Sequence, residues 1–74
     1  MSGKGTNSIA IVLNGERKSV RPELTLAELL QELEIDPARV AVELDRFIVR
    51  APEWPQTRLH DGAEVEIVQF VGGG

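Results

Sequence analysis

The chain has no cysteine, no tyrosine, one histidine (His60) and two lysines (Lys4 and Lys18) among its 74 residues. Without cysteine there are no disulfides, thiol nucleophiles or Cys–His pairs, and zinc sites are excluded with them. The net charge of −4 and a pI near 4.8 leave no cluster of Lys and Arg for phosphate groups, so nucleic acid is not expected as a partner. No stretch approaches the roughly 20 apolar residues that cross a bilayer, and the opening MSGKGTNS lacks the apolar centre of a signal peptide. The chain therefore reads as cytoplasmic with no membrane partner, and residues 1–8 as a mobile leader or cloning remnant. A 60-residue fold buries only about 60% of its unfolded surface, which leaves little room for a deep pocket. Size alone thus argues for one domain that binds no cofactor of its own and is not an enzyme.

What is present is well ordered along the chain. Ile9, Ile11 and Leu13 alternate and run into Asn14-Gly15, a hairpin turn signal in which both residues tolerate positive φ. A two-residue loop pairs Leu13 with Glu16, Ile11 with Lys18 and Ile9 with Val20. Lys18 then falls on the apolar parity, so it is expected near the sheet margin with its ammonium in water. The segment LTLAELLQELEID carries a helix start: Thr25 as N-cap, Glu28 three residues on to close a capping box, and Leu24 placed to staple against Leu29. Leu26, Leu29, Leu30 and Leu33 form its apolar stripe, and Asp36-Pro37 is expected to end it. Val40, Val42 and Leu44 alternate inward with Glu43 and Asp45 outward, and RFIVR returns as a short strand. A proline-broken connection follows, with Trp54 lidding an edge of the core and Asp61-Gly62 making a turn. In the last strand Val65 and Ile67 share one face, while the other begins as Glu64 and Glu66 and continues as Val68 and Phe70.

Two strands, a helix, two short strands and a final strand make an α+β protein. This is the ubiquitin-like β-grasp plan: a mixed sheet of four to five strands with one helix packed across it. The expected division is a leader over 1–8, the β-grasp domain over 9–71 and a flexible glycine tail over 72–74.

That tail, FVGGG, is the most specific feature. At an average glycine usage of about 7%, three glycines at one named place arise by chance in roughly 3 of 10,000 sequences. Glycines thread passages too narrow for residues with a Cβ. From Phe70 the following four residues reach roughly 13–14 Å, enough to enter another protein's active site. A terminal carboxylate, with an ordinary pKa of about 3.3–3.7, is ionised at neutral pH and can attack an activated phosphorus. Attack on the α-phosphate of ATP gives an acyl-adenylate, which a sulfur or nitrogen nucleophile opens. Magnesium, phosphate-binding groups and any cysteine would have to come from a partner.

Beside the tail, Val68 and Phe70 stand on a face that Glu64 and Glu66 imply is wet. Either a loop covers them or they form a docking patch, and their position next to the terminus favours docking. His60 lacks a triad partner in the sequence and reads as a surface or capping residue with no assigned role. Glu28, Glu32 and Glu34 read as the solvated face of the helix. Asn14-Gly15 reads as a turn, without the glycine spacing of a nucleotide loop.

These residues resemble the thiamine-pathway sulfur carrier proteins of the ThiS family. The likeness runs from Ile9 to Gly74, through IVLNGE, TLAELLQEL, VAVELD and, most specifically, DGAEVEIVQFVGGG. It implies that Gly74 is adenylated by an E1-like adenylyltransferase using ATP and Mg, then converted to a thiocarboxylate with sulfur from a donating enzyme. Thiazole synthase then takes the sulfur. Carried over by position, Gly74 is the modified terminus, Gly73 and Gly72 are the thread, and Val71 and Phe70 are the apolar approach, with Phe70 and Val68 docking the partners. Asp45-Arg46 departs from the Asn-Gly common in the family, and Val49-Arg50-Ala51 from its Val-Pro-Arg.

Three other readings share some of these features. A molybdopterin-type carrier has the same fold and terminus but commonly has prolines before its last glycines. A ubiquitin-like modifier joins its carboxylate to a lysine amine. A plain β-grasp interaction module would bind without its tail. A monomer is expected when the protein is free.

Overall fold

The computed structural model describes residues 7–70; Val71, Gly72, Gly73 and Gly74 lie outside the described residues, as do residues 1–6. The elements are β1 (Ile9–Leu13), β2 (Glu16–Val20), α1 (Leu26–Glu32), β3 (Val40–Leu44), β4 (Phe47–Val49) and β5 (Glu64–Gln69), with short 3-10 helices at Pro37–Arg39 and Ala51–Gln56.

The Asn14-Gly15 turn sets the register of the first hairpin. Asn14 at φ 50 and Gly15 at φ 86 give the positive-φ pair that matches strand twist, and Leu13 pairs with Glu16, Ile11 with Lys18 and Ile9 with Val20. Lys18 lies exposed on β2, which is an edge strand. The five-stranded sheet has the order β2-β1-β5-β3-β4, with β1 and β5 parallel and the other pairs antiparallel. The last strand therefore lies at the centre of the sheet.

One helix crosses one face, where Ile11, Val42 and Val65 of the sheet meet Leu26, Leu29 and Leu30 of α1 in the core. Burying each such side chain contributes about 1.5–3 kcal/mol. The capping box is present, with the Glu28 N–H donating to Thr25 Oγ1 at 3.1 Å and the Thr25 N–H donating to Glu28 Oε1 at 3.0 Å. The bond from the Thr25 backbone holds the Glu28 carboxyl below its ordinary value. On the solvent side of α1, Arg21 pairs with both Glu28 and Glu32.

The helix is shorter than its apolar stripe suggests, and Asp36-Pro37 does not end it. It stops at Glu32, because Glu34 takes a left-handed conformation (φ 59) and closes a C-terminal motif: the Ile35 N–H donates to Leu30 O at 2.9 Å and the Glu34 N–H to Gln31 O at 3.0 Å. Asp36 instead caps the next 3-10 turn, accepting from the Ala38 N–H at 2.9 Å.

Trp54 is set deeper than a lid. It is 4% exposed within the core, and its indole N–H donates to Val49 O at 2.8 Å, tying the second 3-10 helix to the end of β4. Element order, sheet topology and the single helix are those of the ubiquitin-like β-grasp fold.

Candidate functional site

The helix covers only one face of the sheet. Alternation along β5 buries Val65, half-buries Ile67 and sends Glu64, Glu66, Val68 and Phe70 to the other face. Nothing among the described residues covers that face at its apolar end. Val68 is 55% and Phe70 57% exposed, so no described loop or side chain covers them. Ile48 of β4 adds to the same face at 73% exposure, and Ala41 lies directly opposite Val68. Arg46 and Arg50 share the parity of Ile48, but only the pairing of β4 with β3 sets Ile48 beside Glu43 on this face, and the sequence did not single it out; Phe47, 75% exposed, turns to the opposite side at the sheet edge.

Three contacts hold β5 in place up to Phe70. The Phe70 N–H donates to Arg39 O at 2.8 Å, so the strand is bonded to the chain entering β3 until its last described residue. Upstream, the Ile67 N–H donates to Asn14 Oδ1 at 2.8 Å and Asn14 Nδ2 donates to Ile67 O at 3.3 Å. Turn geometry alone therefore does not account for Asn14: its amide continues the β1–β5 ladder past the end of β1, as a backbone peptide would.

At the opposite end of β5, His60 has a partner that its sequence neighbours did not reveal. Its Nε2 lies 2.7 Å from Asp45 Oδ2 and its Nδ1 2.9 Å from Asp61 O. Both partners are acceptors, so the doubly protonated imidazolium satisfies both. The Asp45 carboxylate, and after it the Asp61 carbonyl, raise the His60 pKa above its ordinary value. The Glu64 N–H, donating at 3.0 Å, and then His60 lower that of Asp45. Asp45 thus sits in the turn, bonded to the start of β5, rather than facing outward from a strand. Asp45 and Arg46 both have positive φ (52 and 74), so the β3–β4 hairpin makes the same kind of turn as Asn14-Gly15 without a glycine.

An apolar groove of about 530 Å³ runs between the end of α1 and the second 3-10 helix, lined by Ala27, Leu30, Ile35, Pro37 and Trp54 among others. It holds no histidine or lysine. Among the described residues no group of three or more His, Asp or Glu side chains is placed to hold a metal ion, and no helix is long and apolar enough to cross a membrane. The predicted docking residues Val68 and Phe70 are together on one open face, while Val71, Gly72, Gly73 and Gly74 fall outside the described residues.

A five-stranded sheet with one helix, a central last strand and an apolar outer face at that strand's end define a ubiquitin-like β-grasp protein. The family model for ThiS matches residues 8–74, and the chain belongs to the ThiS family. The crystal structure of a thiamine biosynthesis protein (ThiS) from Geobacter metallireducens superposes with a TM-score of 0.79 at 30% identity, covering 89% of this chain and all of that one. A thiazole synthase from Paramagnetospirillum magneticum is 41% identical over 64 residues, which are 86% of this chain but 20% of the relative. The chain thus spans about a fifth of that relative's length. It spans 96% of the length of the ycf40 protein of Pyropia yezoensis, at 34% identity over 68 residues.

Proposed function

We propose that this protein is a sulfur carrier for thiazole formation in thiamine biosynthesis, acted on by partner enzymes rather than catalysing a reaction itself. A carboxylate oxygen of Gly74 attacks the α-phosphorus of ATP on an E1-like adenylyltransferase, and pyrophosphate leaves with Mg supplied by that partner. Hydrosulfide (HS−) released by a donating enzyme then adds to the acyl carbon, displaces AMP and loses its proton, leaving a thiocarboxylate. Thiazole synthase transfers the sulfur to its substrate, an oxygen from that substrate or from water takes its place on the acyl carbon as the C–S bond breaks, and the carboxylate is restored.

The observation that carries this reading is the open end of β5. Val68 and Phe70 stay exposed on the segment that leads in sequence into Val71, Gly72, Gly73 and Gly74, with Ile48 on the same face and Glu64 and Glu66 beyond them. Exposed apolar side chains next to the reacting terminus give an enzyme a grip close to the group it must modify. Family membership and the likeness to a thiamine biosynthesis protein support the pathway.

The test is intact-protein mass spectrometry after incubation with an adenylating enzyme, ATP, Mg and a sulfur donor. A gain of about 16 Da on Gly74, from oxygen replaced by sulfur at the carboxylate, is the expected result. An unchanged mass, with the enzyme active on another carrier, overturns it. Conjugation to a lysine amine would identify a protein modifier instead.

A further inference from the structure

The outer face has an acidic half whose arrangement works against folding. Glu43 of β3 stands directly opposite Glu66 of β5, and Ile48 of β4 stands directly opposite Glu43 on the other side. Like charges directly opposite on antiparallel strands destabilise a sheet. Among the described residues neither carboxylate pairs with a cation, and Arg46 at the adjoining hairpin turn is engaged with Glu64 at 3.5 Å. Val68 lies one alternation beyond Glu66 and Phe70 two, roughly 7 and 14 Å along the strand. Carboxylates and apolar patch are therefore one continuous surface, within the footprint of a single protein partner.

We propose that Glu43 and Glu66 form the acidic half of the docking surface, and that it receives a protein presenting an arginine or lysine side chain to the pair beside an apolar side chain that covers Val68 and Phe70. The inference rests on the carrier reading and deepens it by giving the chemistry of the partner's surface. A guanidinium is planar and has five donors, so it can bond two adjacent carboxylates at once. The arrangement that is unfavourable in the free protein becomes favourable in the complex, which gives specificity and a faster encounter. A second copy does not fit: two such faces would bring four carboxylates together, on chains already at −4 each. A metal ion does not fit either, since no third ligand group joins the pair among the described residues.

The experiment uses the full chain, its Glu43→Gln, Glu66→Gln double variant, and two probes, an E1-like adenylating enzyme and a thiazole synthase. Thermal melts, calorimetric titrations at low and high salt, and mass spectrometry at saturating enzyme are compared. The expected result is a double variant that melts at or above the wild-type temperature, binds at least one probe fivefold or more weakly at low salt, and still gains about 16 Da at saturation. Raising the salt should weaken wild-type binding and leave the variant's nearly unchanged. Affinities for both probes within a factor of two of wild type overturn the docking proposal. So does a wild-type dimer that forms through this face and is not strengthened by the substitutions. A wild-type chain that never gains the mass overturns the carrier reading instead, so the two failures are distinguishable.

Discussion

The side chain of Asn14 clasps the backbone of Ile67, accepting its N–H at 2.8 Å and donating to its carbonyl at 3.3 Å, across 53 residues of sequence. Asn14 thereby joins the first turn of the protein to β5, the strand that ends at Gln69. Asn14→Gly keeps the turn, because glycine accepts positive φ, and removes only the clasp. It is expected to lower stability by about 1 kcal/mol, or about 4–8 °C in melting temperature. Asn14→Ala adds about another 1 kcal/mol for an L residue held at positive φ. Hydrogen exchange at the Ile67 amide should accelerate in both variants and reports the lost clasp, while the difference in melting temperature between Ala and Gly reports the turn.

The His60–Asp45 bridge predicts a pH profile. His60 has its folded pKa raised above 6.5, so its contribution is fully present below that value and is lost as pH rises through the raised pKa. Asp45 has its folded pKa lowered from 3.8, so its contribution is present above that value and is lost as pH falls through the lowered pKa. Both are complete between pH 3.8 and 6.5. Urea titrations should show wild type losing stability from pH 6.5 upward while His60→Gln stays flat. With one histidine in the chain, its ring resonances in NMR report the raised pKa directly.

Arg46 at φ 74 and Glu34 at φ 59 occupy conformations that favour glycine. Arg46→Gly should stabilise the protein by about 1 kcal/mol, less a few tenths for the exposed ion pair with Glu64. Glu34→Gly at the helix C-terminus should give a similar gain. Both raise the melting temperature, and a fall for either would show that the native side chain holds its turn by a contact worth more than the strain.

Trp54 is buried and bonded to Val49 O at 2.8 Å. Trp54→Phe should cost about 1–2 kcal/mol for the lost bond and partly lost packing, and Trp54→Ala about 3–5 kcal/mol. Denaturant melts followed by circular dichroism check both, since the variants lack the tryptophan needed for fluorescence.

Much of the fold was legible because its signals are local. Asn14-Gly15 and the Ile9, Ile11, Leu13 alternation specify a hairpin register without reference to the rest of the chain. Thr25 and Glu28 mark the helix start in the same way. The helix end was not legible, since Glu34 is a residue that rarely takes positive φ, and only the fit of Ile35 beside Leu30 makes the motif close there. Of the candidate site, Val68 and Phe70 were legible from the change of character along one strand. Ile48 was not, because its place beside Glu43 depends on pairing between strands.

The sequence by itself determined the inventory of chemistry: no cysteine, an acidic balance, and a glycine run after the last strand, properties of composition and order that folding does not alter. It also determined the hairpin and the helix cap, which depend on residues close together in the chain. Only the tertiary structure decided that Asn14 holds Ile67, that His60 meets Asp45 and that Glu43 faces Glu66. These contacts span 15 to 53 residues. They arise because β5 returns to the centre of the sheet between β1 and β3, a placement that burial of the core imposes on the whole chain at once.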